Sequence, residues 1–151
     1  MAARAAAAGA GLSAAPATPD IPHVIRQAVP EDARFILETT AKVRQPRGVP
    51  WTQWSPVGLR NAQTALAQGR AVVADADGVI LGFALAMPSA MTPPELALEM
   101  VYVKADFRGF GLGLEMLRGV GMAPGFLVAA RAPTPCWRRW CAHHALMWRT
   151  A

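Results

Sequence analysis

The sequence predicts one α/β domain of the α+β type, with a mixed, mostly antiparallel central sheet flanked by helices. Three observations indicate this fold class. Strand-like and helix-like segments follow one another in the order β-α-α-β-β-β-α-β-α-β. Three apolar strands are consecutive, and the turn Ala76-Asp77-Gly78 joins the first two as a hairpin. A glycine-rich stretch then separates the third strand from a helix, and a βαβ crossover follows.

The boundaries of these elements follow from hydrophobic periodicity, helix caps and turn residues. Proline and two acids in the first turn open one helix, Ser55-Pro56 opens the next, and Gly69 ends it. The predicted strands are His23–Val29, Ala71–Asp75, Val79–Met87, Leu96–Val103, Phe126–Arg131 and Leu146–Thr150. The predicted helices cover 30–42, 56–68, the segment from the glycine stretch to 119, and 134–145, with loops at 44–54 and 88–94.

Length and composition exclude several classes of protein. The 151 residues are enough for one domain with its own core, and no apolar run approaches the roughly eighteen residues of a membrane span. Cys136 and Cys141 form neither a CxxC pair nor a disulfide framework, so a cytoplasmic location is expected. Residues 1–21 are mostly Ala, Gly, Pro and Ser, and we expect a disordered tail there, followed by one domain over 22–151.

The net charge of +5 is unevenly distributed. The first 103 residues carry eight basic and eight acidic side chains, whereas the residues from Lys104 onward carry seven basic and two acidic ones. The excess therefore lies around the glycine stretch and beyond it. This distribution favours an anionic partner, either a phosphorylated cofactor or a nucleic acid, over a merely solvated basic surface.

The glycine stretch runs Arg108-Gly109-Phe110-Gly111-Leu112-Gly113 and opens a helix. Glycines at every second position leave backbone N–H groups uncovered at the positive end of the helix, which is a site for phosphate. Two known phosphate patterns fit poorly. A P-loop needs a Gly-Lys-Ser/Thr ending, and the dinucleotide fingerprint needs a third glycine where Leu114 stands.

The segment from Val103 to Gly113 closely resembles the acyl-CoA pyrophosphate loop of the GNAT N-acetyltransferase superfamily. The element order from His23 to Thr150 and the opening segment 24–32 also resemble that family. The resemblance implies an N-acetyltransferase that moves an acetyl group from acetyl-CoA to an amine, without a metal. It implies that residues 108–113 hold the pyrophosphate and that the backbone of Val101, Tyr102 and Val103 binds the pantetheine and polarises the thioester carbonyl.

Two residues are candidates for proton transfer. Glu99 is an acid inside an apolar strand, and strict alternation would place it on one face with Val101 and Val103, so it is the candidate base. Solvent exposure or pairing with an arginine is the alternative for Glu99, and Glu95 or a water chain could replace it as base. Where family members often carry a tyrosine acid on the last helix, the aligned residue here is Cys141. Its thiol is a candidate acid, and the alternative is a small buried hydrophobe.

The sequence does not identify the amine that accepts the acetyl group. The resemblance places Trp51 and Trp54 near the acceptor site, where they would help to select it, unless they only pack beneath the loop. A small amine, a protein amine and a nucleobase amine all stay open, and so do a nucleic-acid-binding module and a catalytically idle CoA-binding domain. Cys136, Cys141, His143 and His144 do not converge on a helix as metal ligands, so no metal is expected. The family usually ends with two strands and only one remains here, so a partner copy in a homodimer could supply the other.

Overall fold

A computed structural model describes residues 21–42, 58–88, 96–122, 127–130, 135–143 and 147–150. Its strands are β1 Val24–Gln27, β2 Ala71–Ala76, β3 Val79–Pro88, β4 Leu96–Val103, β5 Leu127–Ala130 and β6 Met147–Thr150. Its helices are α1 Ala33–Lys42, α2 Gly58–Ala67, α3 Leu112–Gly119 and α4 Pro135–His143, with 3-10 turns at Pro30–Asp32 and Ala105–Phe107. The predicted order of strands and helices is confirmed. The predicted tail, the loop at 44–54 and most of the loop at 88–94 lie outside the described residues.

The six strands form one sheet in the order β1-β2-β3-β4-β5-β6. Neighbouring strands from β1 to β4 are antiparallel to one another. In contrast, β5 is parallel to β4, and β6 is parallel to β5. Antiparallel strands need only short turns, and Asp77-Gly78 makes the β2–β3 turn with positive φ at both residues. Parallel strands need a crossover, and α3 and α4 provide the two crossovers. The predicted mixed, mostly antiparallel sheet is therefore confirmed.

Apolar clusters cover both faces of the sheet. On one face α1 and α2 pack over β2, β3 and β4, with Ile36, Phe83 and Leu85 fully buried. On the other face α3 packs through Leu112 and Met116. A third cluster joins α4 to the start of β4 and to the C-terminal end of α3. The sheet thus fixes α3, which follows the glycine stretch, relative to β4, which precedes it.

Gly82 of β3 pairs with Val103 of β4 and has no room for a side chain. A Cβ atom built at this position would stand 2.5 Å from the Tyr102 carbonyl oxygen and 3.0 Å from Cε of Met116. Because the nearer atom belongs to the backbone of a paired strand, it cannot move without breaking the ladder. We expect Gly82→Ala to cost about 3 kcal/mol of unfolding free energy, measured by urea denaturation. The control is Gly113→Ala, whose new Cβ would meet only ordinary contacts beginning at 3.5 Å. Equal unfolding free energies for the two variants would contradict this account.

Arg26 connects β1 to two other parts of the fold. Its Nε donates to Asp75 at the end of β2 over 2.7 Å, and its Nη1 donates to Asp32 over 2.6 Å. The Asp32 carboxylate also accepts the Val29 N–H, and the Asp75 carboxylate accepts the Gly78 N–H. One arginine therefore holds the start of the α1 region and the β2–β3 hairpin against β1. The Arg26 hydrogen bonds are the main reason that the pKa values of both carboxyl groups fall below their usual range.

This cluster makes the stability of the protein depend on pH in acid. A carboxyl group whose pKa is lower in the folded chain stabilises the fold above its unfolded pKa of about 3.9, and the contribution is lost as the pH falls through the folded value. We expect the urea midpoint of the wild type to fall steadily below about pH 4. The urea midpoint of Asp32→Asn should be lower than that of the wild type at neutral pH, and it should fall less than the wild-type midpoint below about pH 4. An unchanged acid dependence in this variant would contradict the role assigned to the cluster.

Candidate functional site

The glycine stretch forms a compact turn between β4 and α3. After Lys104 the chain makes the 3-10 turn, Arg108 is extended, and Gly109 and Gly111 both adopt positive φ, at 90° and 82°. Gly111 is the N-cap of α3, and no side chain caps the helix there. The predicted change from strand to loop to helix is thus confirmed, with the helix beginning at Leu112.

Several backbone N–H groups at this turn are available as hydrogen-bond donors. The Gly111 carbonyl accepts the N–H groups of Leu114 and Glu115, which closes the first turn of α3. In the described part of the chain, the N–H groups of residues 109–113 make no hydrogen bond to a backbone acceptor outside regular helix bonding. These residues lie before or within the first turn of α3, where backbone N–H groups have no acceptor inside the helix. Uncapped donors at the positive end of a helix are suited to an oxyanion. The turn therefore has the donor set that a phosphate or pyrophosphate requires.

Different local features explain why glycine occupies each of the three positions in this turn. The left-handed conformation of Gly109 and Gly111 disfavours residues with a side chain, so these two glycines are explained by the shape of the turn. A Cβ at Gly113 would approach the Trp140 ring to 3.5 Å and a Val101 methyl to 3.9 Å. Gly113 therefore brings α3 close to α4 and β4. The glycine pattern alone does not demonstrate a ligand, and the exposed donors are the stronger observation.

Two cations flank the turn. Arg108 is exposed, and its Nε donates to the Val103 carbonyl over 3.0 Å, which folds the guanidinium back over the end of β4. Lys104 is half-buried, with Nζ 5.1 Å from the centre of the Phe35 ring. Arg108 directly precedes the uncovered N–H groups, and its charge adds to the attraction that the helix end exerts on an anion. The Lys104 ammonium instead lies against Phe35 of α1.

One acid, Glu115, stands in the first turn of α3 and is paired. Its carboxylate lies 2.8 Å from Nε2 of His23, and Nδ1 of the same ring lies 2.5 Å from the Ile21 carbonyl oxygen. The His23 ring thus connects the Ile21 carbonyl, just before β1, to the first turn of α3. This pair links residues far apart in sequence, and the sequence analysis missed it.

The edge of β4 opens just before the glycine turn. In the described part of the chain, β5 pairs with β4 only at Ala97 and Leu98. Beyond Leu98, β4 keeps β3 on one side, with Val101, Tyr102 and Val103 opposite Ala84, Phe83 and Gly82. Its other side has no partner strand among the described elements. In the alternating pattern of an antiparallel ladder Tyr102 bonds to β3, whereas the backbone groups of Val101 and the N–H of Val103 point to the open edge, and the Val103 carbonyl accepts the Arg108 bond.

Glu99 occupies a β-bulge, and here one prediction was wrong. Leu85 of β3 pairs with Met100 and Ala86 pairs with Leu98, so Glu99 is the extra residue that the bulge adds to β4. The extra residue breaks the alternation of faces. Val101 packs towards α3, whereas Glu99 contacts α2, where Asn61 Nδ2 donates to its Oε2 over 3.1 Å. Glu99 therefore does not share a face with Val101 and Val103, as strict alternation would require.

Tyr102 and Cys141 are both held by apolar packing. The Tyr102 ring stacks near Phe83 with 5.4 Å between centres, on the face covered by α1 and α2. Cys141 is fully buried in the cluster that contains Leu98 and Leu117. Burial raises the pKa of its thiol to about 11. These surroundings favour the packing role of Cys141, and no proton path to the thiol is visible among the described residues.

Other predicted residues lie outside the described part. These are Trp51, Trp54, Glu95 and His144, together with the side chains of Cys136 and His143. Among the described residues, no three His, Cys, Asp or Glu side chains cluster as metal ligands would. Within the same ranges, no helix combines the length and apolar character needed to cross a bilayer.

The sequence analysis also missed Asn61. It is half-buried on α2, 38 residues from Glu99, and carries no motif that would single it out. Only the bulge turns Glu99 towards it. The signal in the sequence was limited to a polar residue at a helix position that faces the sheet.

The sequence matches the model of one known protein family. Residues 36–120 match the sequence model described as acetyltransferase (GNAT) family. This range contains α1 from Ile36 onward, α2, β2, β3, β4, the glycine turn and α3. No protein of curated function matches the sequence significantly.

Solved structures share the fold. An acetyltransferase described as putative from Pyrococcus furiosus matches with a TM-score of 0.59 at 17% identity, covering 86% of this chain and 96% of that one. The aminoglycoside N-acetyltransferase AAC(6')-Iy, in complex with a CoA-containing bisubstrate analogue, gives 0.58 at 18% identity and covers 86% and 93%. A GNAT family N-acetyltransferase from Escherichia coli in complex with CoA gives 0.54 at 19% identity and covers 84% and 74%.

Proposed function

Because this chain belongs to the acetyltransferase (GNAT) family, we propose that it transfers an acetyl group from acetyl-CoA to the nitrogen of an amine. The observation that carries the proposal is the continuity of two features. The open edge of β4 leads directly into a helix turn with uncovered N–H groups. One extended ligand with amides at one end and a pyrophosphate at the other fits both features.

The residues present fit such a ligand. We assign the pyrophosphate to the N–H groups of residues 109–113, with Arg108 beside them. We assign the pantetheine amides to the outward backbone groups of Val101 and Val103. The AAC(6')-Iy and Escherichia coli structures contain CoA or a CoA analogue, which supports this assignment.

When bound, acetyl-CoA supplies the acetyl group as a thioester. The amine nitrogen forms a bond to the acetyl carbon, and the bond between that carbon and sulfur breaks. An ammonium acceptor releases two protons in all: one leaves before attack, and the other reaches the thiolate or the solvent as the amide forms. We assign the first proton to Glu99, and the support is its position next to Leu98, where β5 leaves β4.

Protonation of the leaving thiolate is assigned to water rather than to Cys141. The Cys141 side chain has no exposed surface, and burial holds the pKa of its thiol near 11. A group so placed exchanges protons slowly with a substrate. Trp51 and Trp54 stay proposed as residues that contact the acceptor.

The test combines a binding measurement with a turnover measurement. Acetyl-CoA at about one hundred times its Kd should stabilise the fold by about 2.7 kcal/mol, seen as a higher melting temperature. Release of free CoA thiol is then followed with a panel of small amines, peptides with free amines and nucleosides. Stabilisation without thiol release would indicate a domain that binds CoA without turnover. Salt-sensitive binding of oligonucleotides without stabilisation by acetyl-CoA would indicate a nucleic-acid-binding module and overturn the proposal.

A further inference from the structure

We propose that Lys104 and Tyr102 together bind a carboxylate, and that the acceptor of the acetyl group therefore carries a carboxylate in addition to its amine. This inference rests on the acetyltransferase function proposed above and narrows the class of acceptor. Its starting point is a pair of polar side chains at the end of β4. In the described part of the chain, their donor groups have no hydrogen-bond partner.

Both side chains lie on the face of the sheet that α1 and α2 cover. The Lys104 N–H donates to the Leu81 carbonyl over 2.9 Å, so Lys104 continues the pairing of β4 with β3. Its ammonium lies 5.1 Å from the centre of the Phe35 ring on α1. The Tyr102 ring packs on the same face, 5.4 Å from the ring of Phe83. Because the Phe35 and Phe83 rings are in edge-to-face contact at 6.2 Å, Lys104 and Tyr102 border one aromatic cluster.

Ring contacts hold these two side chains, and neither contact uses their hydrogen-bond donors. A ring face attracts an ammonium but offers its N–H groups no oxygen, and a neighbouring ring does not bind a phenolic hydroxyl. Within the described ranges, the structure gives the side chains of Lys104 and Tyr102 no hydrogen bond and no ion pair. Glu38, the acid in α1, pairs instead with Arg34 over 2.9 Å. The two donors are therefore available to a ligand.

A carboxylate fits this pair of donors. It brings a negative charge to the ammonium, and its two oxygens can accept hydrogens from both groups at once. A cationic ligand would be repelled by Lys104, and a neutral amide or hydroxyl would leave the charge without a counterion. Both side chains are half-buried, so a bound carboxylate is partly shielded from water and its attraction to Lys104 is stronger than at an exposed site.

The position of this pair connects it with the reaction. Glu99, to which we assign the first proton transfer, contacts α2 on the same face of the sheet. It precedes Tyr102 by three residues, and an extended strand rises about 3.3 Å per residue, so the two residues are roughly 10 Å apart along β4. The nitrogen of an α-amino acid is separated from its carboxylate by a single carbon and cannot span this distance. The acceptor class is therefore an ω-amino acid, whose amine and carboxylate lie at opposite ends of a chain.

The sequence allows a direct test, because Tyr102 is the only tyrosine in the chain. Protein labelled with 3-fluorotyrosine gives a single ¹⁹F NMR signal, without acetyl-CoA present. We expect sodium hexanoate to shift this signal saturably. Sodium chloride at the same ionic strength and n-hexylamine should not shift it. A wild-type signal that ignores hexanoate, or that responds equally to n-hexylamine, would overturn the inference.

The two lysines of the chain supply a variant and its matched control. Lys104→Met keeps an apolar side chain against Phe35 and removes the charge, so the response to hexanoate should disappear. Lys42→Met removes the same charge at an exposed position on α1 and should respond as the wild type does. An unchanged response in Lys104→Met would also contradict the proposal.

Kinetics provide a second arm with an internal reference. We compare two acceptors of equal chain length, 6-aminohexanoate and n-hexylamine, and expect the wild type to show the lower KM for 6-aminohexanoate. Lys104→Met should raise this KM about tenfold or more, the effect of losing one hydrogen bond to a charged group, and leave the KM for n-hexylamine unchanged. Tyr102→Phe keeps the ring packing and should raise the KM for 6-aminohexanoate by a smaller factor. A merely structural defect would affect both acceptors alike.

The two proposals can fail separately. If acetyl-CoA neither stabilises the protein nor releases thiol with any amine, the proposed function fails, whereas the ¹⁹F response to hexanoate still tests the carboxylate site. If thiol is released only with amines that carry no carboxylate, the function stands and the acceptor inference is wrong.

Discussion

Replacing Gly111 with glutamate is expected to abolish the stabilisation of the protein by acetyl-CoA. Gly111 is the N-cap of α3 at a φ of 82°, among the residues with uncovered N–H groups, and a Cβ there would stand 3.9 Å from Oε1 of Glu115. The new carboxylate would repel the pyrophosphate and compete for its donors. At a concentration of about one hundred times the wild-type Kd, we expect the gain of about 2.7 kcal/mol to fall to nearly zero. Thermal melting with and without acetyl-CoA measures this loss.

Gly78→Glu is the matched control for this variant. Gly78 has almost the same φ, 83°, and a Cβ there would meet no atom within 4 Å. Both variants therefore suffer a similar backbone strain of about 1 kcal/mol and gain one negative charge. Only Gly111→Glu should lose the response to acetyl-CoA. If both variants respond as the wild type does, the assignment of the pyrophosphate to this turn is wrong.

Replacing Glu99 with glutamine is expected to reduce turnover by about 10²- to 10⁴-fold, the usual contribution of a general base. Glutamine has the shape of glutamate and can still contact Asn61, but its amide cannot accept a proton from an ammonium group. Since Glu99 is placed away from the pyrophosphate turn, the melting shift produced by acetyl-CoA should be unchanged. Release of CoA thiol with a good acceptor measures the effect.

Two further substitutions make this result specific. Glu38→Gln removes an exposed acid on α1 that pairs with Arg34, and turnover should stay at the wild-type level. Glu95→Gln tests the other acid predicted as a base. Full activity of Glu99→Gln across the pH range would exclude Glu99 as the base. A large loss in Glu95→Gln with a small one in Glu99→Gln would transfer the role.

Much of the fold was predictable because short-range signals determine it. The hairpin turn, the strand Leu96–Val103 and the change to a helix after the glycines were all predicted within a few residues. The first strand was predicted too long. It ends at Gln27 because the Val29 N–H turns to the Asp32 carboxylate, which is a side-chain bond that competes with the ladder. Such competition depends on Arg26 and Asp75, which are distant in sequence.

The candidate site was predictable only in part, for a similar reason. Uncovered N–H groups at a helix start follow from the local pattern, so the shape of this turn and its exposed donors could be predicted from the glycines and the helix that follows. The direction of Glu99 could not, because a bulge depends on how two strands align, and period-two alternation assumes that no bulge is present. The contact with Asn61 depends on the same alignment. The sequence pattern therefore identifies the acid but not its neighbours.

The contacts that residues in and just before β1 make with α3 have a consequence for ligand association. His23, just before β1, contacts Glu115 in the first turn of α3, and the Ile25 side chain lies against Gly119 in its last turn. A helix with contacts at both ends cannot slide or tilt freely on the sheet, so the amides that we propose bind the pyrophosphate keep their spacing in the free protein. Little conformational entropy then remains to be lost when a ligand arrives. Association should accordingly proceed at a rate set by encounter and electrostatic attraction rather than by rearrangement of the loop.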